Sequence, residues 1–132
     1  MSESHFYNIS RKGTISTINT VDEILSNKSS DNFFWLDYYL PSRDELSALV
    51  EPLGLHPLTI EDCTDENLIP KIEDYPKNTF IIINSFSYSQ KVLSVDEVDF
   101  IIGENYLITV SGYYSEGRHP LNDIFKIVEK EI

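Results

Sequence analysis

The sequence of 132 residues predicts one α/β domain, a mixed parallel/antiparallel sheet of about six or seven strands flanked by helices in α/β/α layers. Two observations predict this class. β-rich segments alternate with helix-start signals in the first half, which favours parallel pairing, and successive strands in the second half favour an antiparallel meander. The composition, 41% hydrophobic and 24% charged, is that of a globular chain long enough for a single core.

The first elements are a hairpin and a short helix. Phe6–Ser10 and Thr14–Ile18 are β-rich, and the turn between them contains Gly13. Thr20 has Glu23 three residues later, which is the spacing of a capping box. A short helix is therefore expected after Thr20.

An aromatic strand and a second helix follow. Phe33–Leu40 reads FFWLDYYL and is typical of a central strand, in which Asp37 is the acid expected to be partly buried and to need a partner. Ser42 and Glu45 repeat the capping-box spacing and predict one helix through Leu46, Leu49, Val50 and Leu53. Gly54 is expected to end that helix, since glycine readily takes a positive φ.

The second half contains strands and a closing helix. The expected strands are Lys71–Tyr75 leading to Thr79–Tyr88, then Asp96–Ile102, then Tyr106–Ser111. Turns are expected at Ser89–Ser94 and Gly103–Tyr106, and a final helix after His119-Pro120 with an apolar face of Ile124, Ile127 and Val128.

The strand Asp96–Ile102 has one apolar and one mostly acidic face. Val98, Phe100 and Ile102 alternate with Glu97, Asp99 and Ile101, so one face is expected to be buried. Glu97 and Asp99 point the same way and are open to two interpretations. They form a carboxylate pair, or they are exposed charges that prevent pairing at a sheet edge, which is the favoured interpretation.

Acidic side chains are concentrated between Leu55 and Tyr75, where Lys71 is the single cation. The expected helix begins at His56-Pro57, because proline is tolerated in a first helical turn. Asp62, Asp65 and Glu66 would then share a helix face and repel one another. A divalent cation bound by their oxygens would offset that repulsion, while the alternative is a solvated acidic face.

The bulk charge excludes some partners. A net charge of −12 repels phosphate backbones and anionic lipid, so nucleic acid and membrane-surface binding are not expected. Cys63 has no second cysteine to pair with, and no apolar run reaches the length of a membrane helix. The sequence therefore predicts a soluble, intracellular chain.

Enzymatic chemistry is not predicted. The glycines form no phosphate-binding motif, and one cysteine with three scattered histidines cannot close a structural zinc site. Cys63 and His56 stand about two helical turns apart, too far for a nucleophile and its base. We expect a buried, inert Cys63 and a His56 that caps or packs at the start of its helix.

The central segment resembles the cytoplasmic N-terminal domain of the CorA family of magnesium and cobalt transporters. The matching residues are His56, Pro57, Leu58, Glu61, Asp62, Pro70, Lys71, Ile72, Glu73 and Tyr75. A weaker likeness continues through Thr79–Tyr88, Glu97–Val110 and the helix after His119. Ile69 stands where the family usually has arginine.

The resemblance implies a role. Residues 1–132 would be a single cytosolic domain of a longer membrane transporter, without its stalk and transmembrane helices. The transporter would be a homopentamer at the cell membrane, with Mg²⁺ (or Co²⁺ or another divalent cation) bound between cytosolic domains to hold the pore closed. Asp62 matches the family's ligand and Glu61 a second acidic position nearby, and binding to the isolated domain is expected to be weak.

Two alternatives remain open at this point. A zinc-transporting branch of the same superfamily shares the domain, although sparse histidine and cysteine favour a hard cation. The second alternative is that the chain is a stand-alone acidic module that binds a protein partner and has no metal role.

Overall fold

The computed structural model describes residues 2–26, 31–65, 69–112, 121–130 and 132. Within these residues there are seven strands: β1 Glu3–Ile9, β2 Ile15–Ile18, β3 Phe33–Tyr39, β4 Lys71–Asp74, β5 Thr79–Ser89, β6 Val92–Ile102 and β7 Tyr106–Ser111. The helices are α1 Val21–Ser26, α2 Arg43–Ser47, α3 Val50–Leu53, α4 Pro57–Cys63 and α5 Asn122–Glu129.

The strands form one sheet in the order β2-β1-β3-β7-β6-β5-β4. β3 and β7 run parallel, while the other neighbouring strands are antiparallel. This confirms the predicted mixed sheet. It places β4 at one edge and β6 in the interior, between β7 and β5.

Helices cover both faces of the sheet. α1 to α4 lie over the larger core, whose buried side chains include Leu36, Leu46, Ile60, Phe80 and Ile108. Strand alternation turns neighbouring side chains to the opposite face, where α5 packs on a smaller core of Tyr7, Val98, Leu121 and Phe125. The predicted α/β/α layers are confirmed.

The second predicted helix is two short helices. Glu45 N–H donates to Ser42 Oγ at 3.1 Å and Ser42 N–H to Glu45 Oε1 at 3.0 Å, which confirms this capping box. α2 ends at the Ala48 cap and α3 starts at Val50, because Pro52 has no N–H for a bond to the carbonyl of Ala48. Gly54, with φ of 69°, ends α3 as predicted.

The turn between β5 and β6 is much shorter than predicted. Gln90 and Lys91 form it alone, with φ of 51° and 64°, and the rest of Ser89–Ser94 is in the strands. Positive φ at both central residues gives a turn whose twist matches that of the flanking strands. The prediction of a turn over six residues was wrong because neither residue is the glycine that usually marks such a turn.

The buried side of α5 differs from the predicted one. Leu121 and Phe125 are buried and Val128 packs against them, whereas Ile124 and Ile127 are exposed. The prediction was therefore right for Val128 and wrong for the two isoleucines. The proposed start at His119-Pro120 lies outside the described residues.

Candidate functional site

The acidic helix α4 begins as predicted and ends early. His56 is its N-cap, and its Nδ1 accepts a hydrogen bond from Leu58 N–H at 3.1 Å, which confirms the expected capping role. α4 ends at Cys63, where the Thr64 hydroxyl donates to the carbonyl of Ile60 at 2.9 Å.

Because α4 stops at Cys63, Asp65 lies beyond it and does not share a helix face with Asp62. This part of the sequence interpretation is wrong, and Glu66 lies outside the described residues. Asp65 instead comes within 3.9 Å of the Arg43 guanidinium, at an exposed position.

Asp62 lies against the first residues of the edge strand β4. Lys71 Nζ is 2.5 Å from Asp62 Oδ2 and 2.8 Å from Glu73 Oε1, so one ammonium bridges two carboxylates from two elements. Hydrogen bonds to Asp62 and then to Glu73 raise the pKa of Lys71. The Asp62, Lys71 and Glu73 side chains are 27%, 31% and 36% exposed, so water reaches all three. We call these three residues the rim cluster.

The rim cluster is joined back to the start of α4. Tyr75 O–H donates to Glu73 Oε2 at 2.6 Å, and the Tyr75 ring stacks on His56 with centroids 4.6 Å apart. Hydrogen bonds from Lys71 and then Tyr75 lower the pKa of Glu73. β4 and the residue after it thus contact α4 at both ends, at Asp62 through Lys71 and at His56 through Tyr75.

Glu61 is exposed on α4, one residue from Asp62. No group of three or more histidine, cysteine, aspartate or glutamate side chains in the described parts of the chain is arranged to hold a metal ion. Asp62 and Glu61 therefore remain predicted ligands.

A second acidic group lies in the core, where it contacts Cys63 of α4. Glu97 and Asp99 on β6 are 4% and 2% exposed, and Asp99 hydrogen-bonds both Glu97 and the Cys63 thiol. We call Cys63, Glu97 and Asp99 the core cluster. The favoured prediction, exposed charges protecting a sheet edge, is wrong because β6 is an interior strand and α4 covers this face.

The core cluster has unusual protonation. Burial first, and then the hydrogen bond and charge of Glu97, raise the pKa of Asp99 to about 10. The folded chain therefore favours the protonated form of Asp99 at neutral pH. Burial, with the charges of Asp99 and Glu97, also raises the pKa of Cys63. The predicted buried Cys63 is confirmed.

Asp37 is buried as predicted, with a partner that the sequence did not identify. The Thr109 hydroxyl donates to Asp37 Oδ1 at 2.6 Å, and Trp35 Nε1–H donates to Thr109 Oγ1 at 3.0 Å. Asp37 is not the sole buried acid, since the core cluster contains two more. Its hydrogen bonds tie β3 to β7 on the face that α5 covers, away from Asp62.

Comparison with known proteins assigns the family. The family model described as "CorA-like Mg2+ transporter protein" matches residues 30–126, most of the chain. The chain belongs to this family. The resemblance inferred from the central motif is thereby confirmed, and the rim cluster lies within the matched region.

Individual relatives agree with the family assignment. The chain is 24% identical over 115 residues to the cobalt/magnesium transport protein CorA of Thermotoga maritima, covering 85% of this chain and 31% of that protein. It is 28% identical over 86 residues to the magnesium transporter ALR2 of Saccharomyces cerevisiae, covering 65% and 9%. The chain thus spans less than a third of either relative.

Solved CorA structures share the fold. The soluble domain of CorA from Methanocaldococcus jannaschii superposes with a TM-score of 0.65 at 16% identity, covering 96% of this chain and 47% of that one. The complete CorA magnesium transporter of the same organism gives 0.66, covering 96% and 37%. In the described part of this chain, no helix is long and apolar enough to cross a membrane.

Sequence reasoning named Asp62 but missed its neighbours. Lys71 is the single lysine or arginine between Leu55 and Tyr75. That was the available signal that it would form an ion pair with one of the surrounding carboxylates. Glu73 two residues later on the same strand face was the second signal. Glu97 and Asp99 gave no signal of burial, because alternation alone does not reveal that both strand faces are covered.

Proposed function

We propose that this chain is the cytosolic, metal-sensing domain of a CorA-like transporter of Mg²⁺ or Co²⁺, with Asp62 as a ligand of a regulatory divalent cation. The observation that carries the proposal is the position of Asp62 at the surface of the family domain, where its carboxylate is water-accessible and already pairs with a cationic group, Lys71. Glu61, exposed one residue earlier, is proposed as a second acidic group at the same surface.

The donor set fits a hard cation in part. Carboxylate oxygens are the ligands that Mg²⁺ prefers, and Mg²⁺ commonly keeps several waters and takes one or two carboxylates. Asp62 satisfies that pattern, while the described residues offer no complete cluster. We infer that the remaining ligands come from a neighbouring subunit of a homopentamer, so the chain by itself binds Mg²⁺ weakly.

In the proposed regulation, this chain contributes the negative charge to which the cation binds. A bound divalent cation would supply positive charge between subunits. Asp62 provides a negative charge at the subunit surface, and in the metal-free chain this carboxylate is paired with Lys71. Since each chain carries −12, acidic surfaces of adjacent subunits repel unless positive charge lies between them. Loss of the Asp62 charge therefore weakens the closed arrangement.

The arrangement of nitrogen and sulfur donors favours a hard cation over zinc. His56 Nδ1 accepts the capping hydrogen bond of α4, and the Cys63 side chain is buried in the core. Zinc sites favour such donors, and neither of these two is presented beside Asp62. The zinc-transporting branch is therefore the second candidate.

The test compares Asp62→Asn with Asp74→Asn in the full-length transporter at the cytoplasmic face of the membrane. Asp74 is a matched control, because it is exposed on β4 and its Oδ1 accepts from Thr79 at 2.7 Å, an acceptor that asparagine keeps. Ion currents are recorded over a series of internal Mg²⁺ concentrations. We expect Asp62→Asn to stay open at higher Mg²⁺ than the parent and Asp74→Asn to match the parent. Closure of all three at one concentration would remove Asp62 from the gating site.

A further inference from the structure

The rim cluster places a positive charge where a cation would bind. Lys71 Nζ contacts Asp62 Oδ2 at 2.5 Å and Glu73 Oε1 at 2.8 Å, within the distance of a direct ion pair. Two carboxylates from α4 and β4 thus converge on one point, and the ammonium occupies that point. An oxygen of Asp62 cannot bind Lys71 and a metal ion at the same position.

We propose that Lys71 is a built-in competitor for the cation position at Asp62, so that divalent cation binding displaces the ammonium and Lys71 sets the concentration required. The inference rests on the proposed function, in which Asp62 is a ligand. It adds a residue that determines both the affinity and the selectivity of that site.

The position of Lys71 makes displacement feasible. Lys71 is the first residue of the edge strand β4, and about a third of its side chain is exposed. Water reaches both partners of this ion pair and screens their charges, so breaking the pair costs little. The flexible lysine stem allows the ammonium to leave Asp62 without moving the strand.

Glu73 gives the displaced ammonium a place to remain. Its Oε2 is held by Tyr75 and its Oε1 faces Lys71, so Glu73 stays oriented when Lys71 separates from Asp62. The ammonium therefore stays tethered near the site at a high local concentration. It returns to Asp62 whenever the metal ion leaves.

Competition with a tethered ammonium favours divalent ions. A monovalent ion offers Asp62 the same charge as Lys71 and must also compete with a group that is always nearby. A divalent ion offers twice the charge, and its Coulomb attraction to the carboxylate is correspondingly larger. Lys71 thus discriminates against Na⁺ and K⁺ while admitting Mg²⁺ at a reduced affinity.

The test measures Mg²⁺ binding to this chain by NMR, from the saturable shifts of α4 amide signals. Lys71→Gln removes the competitor and is expected to bind Mg²⁺ on the order of fivefold more tightly than the parent, the size of effect that a partly exposed ion pair supports. Lys71→Arg keeps a cation and the packing, so its affinity should not exceed that of the parent. Far-UV circular dichroism confirms that each variant is folded.

Lys12→Gln is the matched control. It makes the same change in net charge in the turn beside β2, at the opposite edge of the sheet from β4, and should leave Mg²⁺ affinity unchanged. In the double variant Lys71→Gln with Asp62→Asn, the gain is expected to disappear. Na⁺ competition should weaken Mg²⁺ binding more in Lys71→Gln than in the parent.

The outcomes separate the two proposals. If Asp62→Asn loses binding but Lys71→Gln behaves like Lys12→Gln, the competitor role is wrong and Asp62 remains a ligand. If Asp62→Asn binds Mg²⁺ as the parent does, the ligand assignment fails and the competitor role fails with it. Absence of saturable shifts in Lys71→Gln would also overturn the competitor role.

Discussion

Two acidic clusters contact neighbouring residues of α4 and differ in their exposure to water. In the rim cluster, Asp62 and Glu73 share the ammonium of Lys71 and remain accessible to water. In the core cluster, Asp99 and Glu97 are almost fully buried, and burial together with the neighbouring acid raises the pKa of Asp99. Adjacent residues of one helix, Asp62 and Cys63, belong to the two different clusters.

The difference shows that position, and not residue type, decides what a carboxylate does. A carboxylate beside a cation and water stays ionised, so Glu73 has a lowered pKa. A buried carboxyl beside another acid retains its proton, so Asp99 has a raised pKa. The rim cluster is therefore a set of ion pairs accessible to water, while the core cluster favours a bound proton.

The largest effect is expected from Asp99→Asn, through the pH dependence of stability. The folded-state pKa of about 10 lies above the ordinary value of 3.8, so the folded chain binds this proton more tightly than the unfolded chain. That contribution is complete below the ordinary value and is lost as pH rises towards 10, by up to about 1.4 kcal/mol per pH unit. Asparagine mimics the neutral acid and removes this loss.

Urea unfolding checks this prediction between neutral pH and the ordinary pKa of a thiol. The free energy of unfolding should fall with pH in the parent and much less in Asp99→Asn. Glu104→Gln is the control, because Glu104 is exposed and should leave the slope of the parent unchanged. An unchanged slope in Asp99→Asn would mean that Asp99 is ionised in the folded chain.

A second prediction concerns the reactivity of Cys63. Because the thiol is buried and its pKa is raised, it should react with a disulfide reagent about 100-fold more slowly in the folded chain than in urea. Cys63→Ala combined with Ser47→Cys moves the thiol to an exposed position of α2 and should react rapidly without urea. Equal rates for the two folded chains would contradict the buried core cluster.

The smallest effect is expected from Tyr75→Phe in the link between the rim cluster and His56. The change removes the hydroxyl that donates to Glu73 and keeps the ring that stacks on His56. We expect a loss of about 0.5 kcal/mol in the free energy of unfolding, the contribution of one partly exposed hydrogen bond. Tyr88→Phe, at an exposed tyrosine, should change it by less. Equal losses would show that the Tyr75–Glu73 bond adds nothing.

Local patterns predicted the elements well, because caps, turns and alternation act within a few residues. The Ser42–Glu45 capping box and Gly54 are examples, and both lie where the sequence places them. The sequence did not predict that α4 ends at Cys63. At this end the Thr64 hydroxyl donates to the carbonyls of Ile60 and Glu61, and the run of acidic residues gives no sign of that contact.

The clusters depend on contacts distant in sequence, which local patterns do not encode. Asp62 meets Lys71 because β4 folds back beside α4, and Cys63 meets Asp99 because β6 is an interior strand beneath the same helix. The resemblance supplied Asp62 as a candidate ligand. It did not indicate that Lys71 pairs with Asp62 or that two further acids are buried nearby.

The most direct test of the contrast between the clusters is a Mg²⁺ titration of this chain followed by carboxyl-carbon NMR. Both clusters are observed in one sample, so Glu97 and Asp99 serve as internal controls for Asp62 and Glu73. We expect the signals of Asp62 and Glu73 to shift saturably as the ammonium of Lys71 is displaced, while those of Glu97 and Asp99 stay unchanged. Saturable shifts of Glu97 and Asp99, with Asp62 unmoved, would place the cation in the core cluster and contradict the assignment of Asp62.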